Sequence, residues 1–331
     1  MLLFAEIFRD VCLPILLIMA IGWIMDRRFN LNLDALVKLN IYLFVPVFIF
    51  VKLAESDLAG GEAVLVVVFT LCIILAMGAG SWVICRLRGD GFSERTAMQL
   101  STMFYNSGNW GIPLMTLAFT DLGPVVQVFV LATMNVTTFS IGLLLANSHL
   151  ETEGPAWRKF LPMLRQPSIY AITAGLLVRH FEIPVENVAV IWGPLNSIAA
   201  GLVAFALLTL GVQLSKTKPP SIAGRVAWAL GLRLLGGPAL AIGLTKLFGF
   251  SGEIAAILII GAASPTAVNT ALIAHEFKAD SRFAAAIVFY STIIAGFVVA
   301  FLLFGLKSGW IPWAEMGEAV PVKIESTGLG R

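Results

Sequence analysis

Ten apolar segments lie along the chain: 5–25, 33–54, 62–86, 94–118, 123–147, 167–181, 187–214, 223–247, 253–276 and 282–307. Most are near the ~20 residues that a helix rising 1.5 Å per residue needs to cross the hydrocarbon of a bilayer. The expected fold class is therefore an all-α polytopic membrane protein with ten transmembrane helices. Composition agrees: 58% of the 331 residues are hydrophobic and 13% charged, where a soluble domain carries about 25% charged residues. The first run is not a secretory leader, because Glu6 and Asp10 lie near its start and Arg27 and Arg28 follow it, the reverse of that pattern. A net charge of +2 is too small to argue for nucleic acid. Cys12, Cys72 and Cys85 fall in apolar runs without metal-ligand spacing and read as small hydrophobes.

The longest connection, 148–166, is polar and divides the chain into two five-helix halves, 1–147 and 167–308. A polar tail, 309–331, is expected to be interfacial from Trp310 and then disordered. Of 22 lysines and arginines, 13 fall in the connections after the odd-numbered runs, 7 on the opposite side and 2, Lys38 and Arg233, within runs. The positive-inside bias then puts both termini on the non-cytoplasmic side, in a membrane whose short loops suit a bacterial inner membrane. Five helices per half make the halves insert in opposite senses, a 5+5 inverted repeat. A weak echo supports it: Gly22, Arg27, Arg28 and Phe29 are matched by Gly175, Arg179, His180 and Phe181, and Gly91-Phe92-Ser93 by Gly249-Phe250-Ser251.

Within the fourth run stands Asn106-Ser107-Gly108-Asn109-Trp110-Gly111-Ile112-Pro113, and within the ninth Ala263-Ser264-Pro265-Thr266-Ala267-Val268-Asn269. Glycine costs a helix about 1 kcal/mol and proline about 3 relative to alanine, so helices four and nine are expected to break at mid-depth. A break in lipid leaves peptide groups unsatisfied unless it faces protein or a watery cavity, and paired breaks point to a carrier's binding site. Half-helices that begin there aim free N–H groups and partial positive charge at a guest, which suits an anion without a buried cation. Asn106, Asn109, Asn269, Ser264 and Thr266 are the candidate substrate-binding residues, with satisfaction of the broken backbone as the competing role. Gly108, Gly111, Pro113 and Pro265 shape the crossover and offer only backbone. Asn40, Tyr42 and Asn196 either line the path or pack helices. Arg233 reads as a snorkelling or interhelical hydrogen-bonding group before an anion attractor. Lys52 and Glu55 read as an interfacial pair, and His149, His180 and His275 as helix-end residues.

The run Asn106 to Leu114 resembles the N-x-G-N-x-G-I-P element of the auxin efflux carrier family, which includes plant PIN proteins and bacterial malate and malonate permeases. Ala263-Ser264-Pro265-Thr266-Ala267 resembles that family's second crossover. The resemblance implies a fold related to sodium/proton antiporters and bile-acid transporters, with helices four and nine crossing at their broken centres. It also implies an elevator-like domain sliding on a scaffold of helices one, two, six and seven, often as a homodimer. The short 148–166 connection, where plant members carry a long cytoplasmic loop, argues against auxin itself and against phosphorylation control.

No Asp or Glu lies near the middle of any run, so the carboxylate typical of cation-coupled carriers is missing. The expected function is a secondary-type permease moving a small organic anion, such as malate, malonate or an auxin-like acid, by uniport or under the membrane potential. Its expected partners are that anion, the lipid bilayer and a second copy, with no nucleic acid, cofactor, metal or catalytic residue. The alternatives are a sodium- or proton-coupled symporter of the bile-acid type, or a receptor on a carrier scaffold. An enzyme would need a nucleophile with its base, or a metal cluster, and the runs hold neither.

Overall fold

The computed structural model describes residues 2–56, 58, 60–119, 122–147, 166–217 and 224–314. The connection 148–166, apart from Gln166, lies outside the described residues, as do His149 and the tail beyond Ala314. Among the described residues, seven helices are long and apolar enough to cross a membrane: α1 (Leu2–Phe29), α2 (Leu33–Ala54), α3 (Gly60–Arg88), α6 (Leu122–Ala146), α8 (Ala189–Lys216), α9 (Gly224–Leu247) and α12 (Ser281–Lys307). Between them lie α4 (Phe92–Met103), then α5, which is a π turn Ser107–Gly111 running into Ile112–Ala118, and α7 (Pro167–His180). Two more, α10 (Gly252–Ala262) and α11 (Asn269–Glu276), precede α12.

Polar side chains mark where several helices begin. Asn32 accepts from the Ala35 N–H at the start of α2, Asp280 from Phe283 at the start of α12, and Glu94 folds back to the Gly91 N–H before α4. Large apolar side chains such as Leu17, Ile21, Ile24, Val190 and Leu235 point outward, as expected of a surface whose solvent is lipid.

Of five π turns among the described residues, four, Phe8–Cys12, Asn40–Phe44, Ser107–Gly111 and Leu232–Gly236, each end two residues before a proline, Pro14, Pro46, Pro113 and Pro238, while Thr138–Gly142 has none. Proline has no N–H and its ring collides with the carbonyl four residues back. Widening the turn before it removes the collision without ending the helix.

This moves the first break. Gly108, Gly111 and Pro113 do not open the helix as expected; they lie inside α5, where the Gly111 N–H closes a π turn on the Asn106 carbonyl at 2.9 Å. The chain leaves helix just before them, with Phe104 extended and Tyr105 and Asn106 non-helical. The second break falls where expected, at Ala263–Val268. The start of the tail is docked: the Trp313 carbonyl accepts from Gly252 N–H at 2.8 Å, its indole donates to the Thr245 hydroxyl at 3.3 Å, and Ala314 is buried.

The tightest helix crossing joins α1 to α8. A Cβ on Gly22 would overlap the Leu208 carbonyl, and one on Gly211 would overlap the Met19 carbonyl, so the backbones touch. At one end of this crossing Asp26 accepts from the Ser215 hydroxyl and pairs with Lys216 at 2.9 Å. In the same manner α7 lies against α2, with Gly175 facing the Phe50 carbonyl and Leu53.

Candidate functional site: the cavity at the two interrupted helices

The two breaks meet. Tyr105 and Thr266 form an antiparallel β-bridge, in which Asn106 N–H donates to the Pro265 carbonyl at 2.7 Å and Ala267 N–H to the Phe104 carbonyl at 2.9 Å. Each extended segment thus satisfies groups that the other would leave bare. Thr266 completes the joint: its N–H donates to the Ser291 hydroxyl at 3.0 Å and its own hydroxyl to the Ser101 carbonyl at 2.7 Å.

The helices that end at the breaks are held by Arg233. It is fully buried, donating to the Thr102 carbonyl at 2.8 Å and to the Ala262 carbonyl, while its guanidinium lies 5.0 Å from the centre of the Tyr105 ring. Thr102 and Ala262 are in the last turns of α4 and α10, where the helix dipole concentrates negative charge. One planar cation therefore neutralises both C-termini and caps their carbonyls. Of the roles weighed for Arg233, the structure selects the interhelical hydrogen bond; the side chain does not line the cavity.

The helices that begin at the breaks, α5 and α11, contribute to a cavity of about 140 Å³. Its wall holds Tyr105, Asn106, Ser107, Gly108, Asn109 and Asn269 from the crossover, Asn135 and Thr138 from α6, Asn40 from α2, Gln166 and Ser168 at the start of α7, and Gln213 from α8. Leu131, Met134, Phe139, Ala267, Val268 and Leu272 add apolar surface. Among the described residues of this wall none is Asp, Glu, Lys, Arg or His.

The amide network gives the wall a sign. Asn106 Oδ1 accepts from the Asn109 backbone N–H at 3.0 Å, and Asn109 Oδ1 accepts from Asn40 Nδ2 at 2.6 Å. Asn106 is only 7% exposed, and its Nδ2 has no partner among the described residues. Behind them, Gln127 on α6 is fully buried and donates to the Ser107 carbonyl at 2.7 Å, filling the space that a side chain on Gly111 would need. The Asn106 and Asn109 acceptor oxygens are thus used within the protein, which leaves the Asn106 Nδ2 as an unpartnered donor; across from them the Asn40 Oδ1 is an unpartnered acceptor among the described residues.

Of the residues singled out in the sequence, Asn106, Asn109, Asn269, Gly108 and Asn40 come together around this cavity. Ser264 and Thr266 are fully buried outside its wall, with Thr266 occupied by the joint. Gly111 and Pro113 lie behind the wall inside α5, and Pro265 supplies its carbonyl to Asn106. Tyr42 is exposed on the outer face of α2 and Asn196 is half-buried on α8; neither lines the cavity. The sequence reading missed Asn135, Thr138, Gln166, Ser168, Gln213 and the supporting Gln127. Asn135 and Thr138 carried a signal, lying with Thr133 and Thr137 in a polar cluster inside an otherwise apolar run.

A polytopic helical protein that places an amide-lined cavity between paired helix breaks is built as a membrane transport protein. The chain belongs to the family described as Membrane transport protein, the auxin efflux carrier family, which matches residues 8–303. It is also similar to an uncharacterized transporter of Methanothermobacter thermautotrophicus, 25% identical over 290 residues that cover 86% of this chain and 94% of the relative.

Proposed function

We propose that the protein is a secondary carrier for a small organic anion, a carboxylate of the size of malate, malonate or a small auxin-like acid, bound at the crossover. The observation that carries this reading is the combination of two helix N-termini and the unpartnered Asn106 amide donor at a cavity whose described wall has no charged side chain. A carboxylate would take up such a donor and be favoured by the positive ends of both helices. A cavity of about 140 Å³ suits a guest of a few heavy atoms.

Counting α4 with α5 and α10 with α11 as two interrupted spans, and α7 as a short one, we read ten crossings arranged as a 5+5 inverted repeat. Two features support the repeat: α1 packs on α8 through Gly22 and α7 packs on α2 through Gly175, and the two breaks pair with each other. The elevator reading assigns α1, α2, α7 and α8 to a static scaffold and the crossover with α6 to the moving part, as two copies in a cell membrane. The cavity then runs from the crossover toward the start of α2, the start of α7 and the end of α8, ends placed on the cytoplasmic side by the lysine and arginine bias.

The test is transport of labelled malate, malonate and indole-3-acetate in proteoliposomes. Asn109→Ala is expected to abolish uptake while expression and thermal stability stay near those of the wild type. An equal loss of folding would make Asn109 a structural residue instead.

A further inference from the structure

We propose that Asn40 is a positioning residue that makes the site prefer anions, by deciding which end of the Asn109 amide faces the guest; this rests on the carrier reading above. A primary amide carries an acceptor on one side and two donors on the other, so an asparagine in a cavity wall suits either sign of charge until a neighbour fixes its rotation. The Asn109 backbone N–H is already committed to Asn106 Oδ1 and does not fix the side chain. The choice is made across the cavity, where Asn40 Nδ2 donates to Asn109 Oδ1 at 2.6 Å. That bond turns the acceptor toward α2 and leaves the NH2 for the ligand.

Asn40 is placed to impose this. It is 4% exposed, and it opens the π turn Asn40–Phe44 set up by Pro46, so its position on α2 is fixed by the backbone. Its own Oδ1 has no partner among the described residues, and the geometry uses the side chain as a donor. The arrangement works without help from charge. Tyr105 is the one titratable group in the described wall. On α2, Lys38 pairs with Asp34 at 2.7 Å on an exposed turn and Lys52 with Glu55 at 3.4 Å at the far end. Lys216 of α8 is paired with Asp26, Arg179 of α7 donates to the Leu58 carbonyl, and His180, His275 and Glu276 sit at the helix ends away from the cavity.

The experiment compares wild type, Asn40→Leu and Asn40→Asp in proteoliposomes with labelled malonate, malate and indole-3-acetate as probes, each rate taken relative to wild type at the same pH. Asn40→Leu keeps the branched outline and donates nothing; it is expected to raise KM about tenfold at every pH, the loss of one oriented hydrogen bond to a charged guest. Asn40→Asp presents an acceptor at about pH 7.5, attracts the Asn109 NH2 and turns its oxygen to the guest, so transport is lost. Once the pH falls below that carboxyl's own pKa, about 4 for a free aspartate and higher in so buried a place, the neutral carboxyl donates to Asn109 Oδ1 and transport returns by about tenfold or more. Simple repulsion of the anion by a carboxylate would give the acid recovery but would leave Asn40→Leu like wild type, and that result overturns the inference. An Asn40→Asp protein with wild-type thermal stability and no acid recovery overturns it as well. A wild type that moves none of the three probes overturns the carrier reading and this inference together, whereas a wild type that moves one of them while both variants match it overturns only the inference.

Discussion

Gly111 lacks a side chain because the Gln127 amide occupies the space where one would stand. Gly111→Ala is therefore expected to push Gln127 off the Ser107 carbonyl, leaving a buried amide unpaired at both ends and destabilising the protein by about 1–3 kcal/mol. The check is the thermal midpoint in detergent, together with a raised KM because Ser107 lines the cavity. Arg233 makes a second prediction. Lysine at this position keeps the charge but loses the planar fork that spans the Thr102 and Ala262 carbonyls, so Arg233→Lys should lower stability by about 1.5–3 kcal/mol. A Lys variant with an unchanged midpoint would show that the two carbonyls do not need a shared donor. At this scale the crossover asparagines were legible because they stand beside helix breakers in an apolar run. Gln166 and Gln213 were not, because a polar residue near a helix end has an ordinary interfacial explanation until the fold shows it facing the same space.

At the scale of the element, seven of the ten apolar segments are helices long and apolar enough to cross a membrane among the described residues, and the two segments expected to be interrupted are interrupted. What the residues did not reveal was where the first break falls. Proline reads as a terminator, but Pro113 is tolerated by a widened turn, so the opening shifts to Phe104–Asn106, where no residue type demands it. That opening is selected by the partner segment, whose carbonyl and N–H groups need Asn106 and Phe104. Pro113→Ala is expected to relax the π turn toward α-helical pairing and rotate Asn109 relative to Asn40, reducing transport several-fold with helix content by circular dichroism unchanged. The α1–α8 crossing makes a separate prediction: Gly22→Ala and Gly211→Ala should each cost about 1–3 kcal/mol by forcing two backbones apart. The double variant should cost less than the sum, since one separation accommodates both methyls. Thermal unfolding of the three variants measures this directly.

For the whole molecule, the described cavity wall holds no carboxylate to bind a coupling ion, so the carrier reading predicts flux that follows the membrane potential alone. A monovalent guest gains about 2.3 kcal/mol per 100 mV, roughly a fiftyfold accumulation ratio at equilibrium. Vesicles clamped with potassium and valinomycin should show that dependence, and exchanging sodium for choline should leave it unchanged; a requirement for sodium would instead favour backbone-carbonyl coordination of the ion. Class and membrane character could be read from the chain because hydropathy is a local property. The joining of Tyr105 to Thr266 could not, because it depends on segments some 160 residues apart meeting in space.

That joint also dictates the order of assembly. When a ribosome has delivered the first half, the Phe104 carbonyl and the Asn106 N–H are already inside the translocon or the bilayer with nothing to bond to, and they stay so until residues 265–267 arrive. Translation must therefore carry an exposed seam through nearly half of synthesis. A chain cut between the halves should recover its binding site only when both pieces are made in the same membrane at the same time.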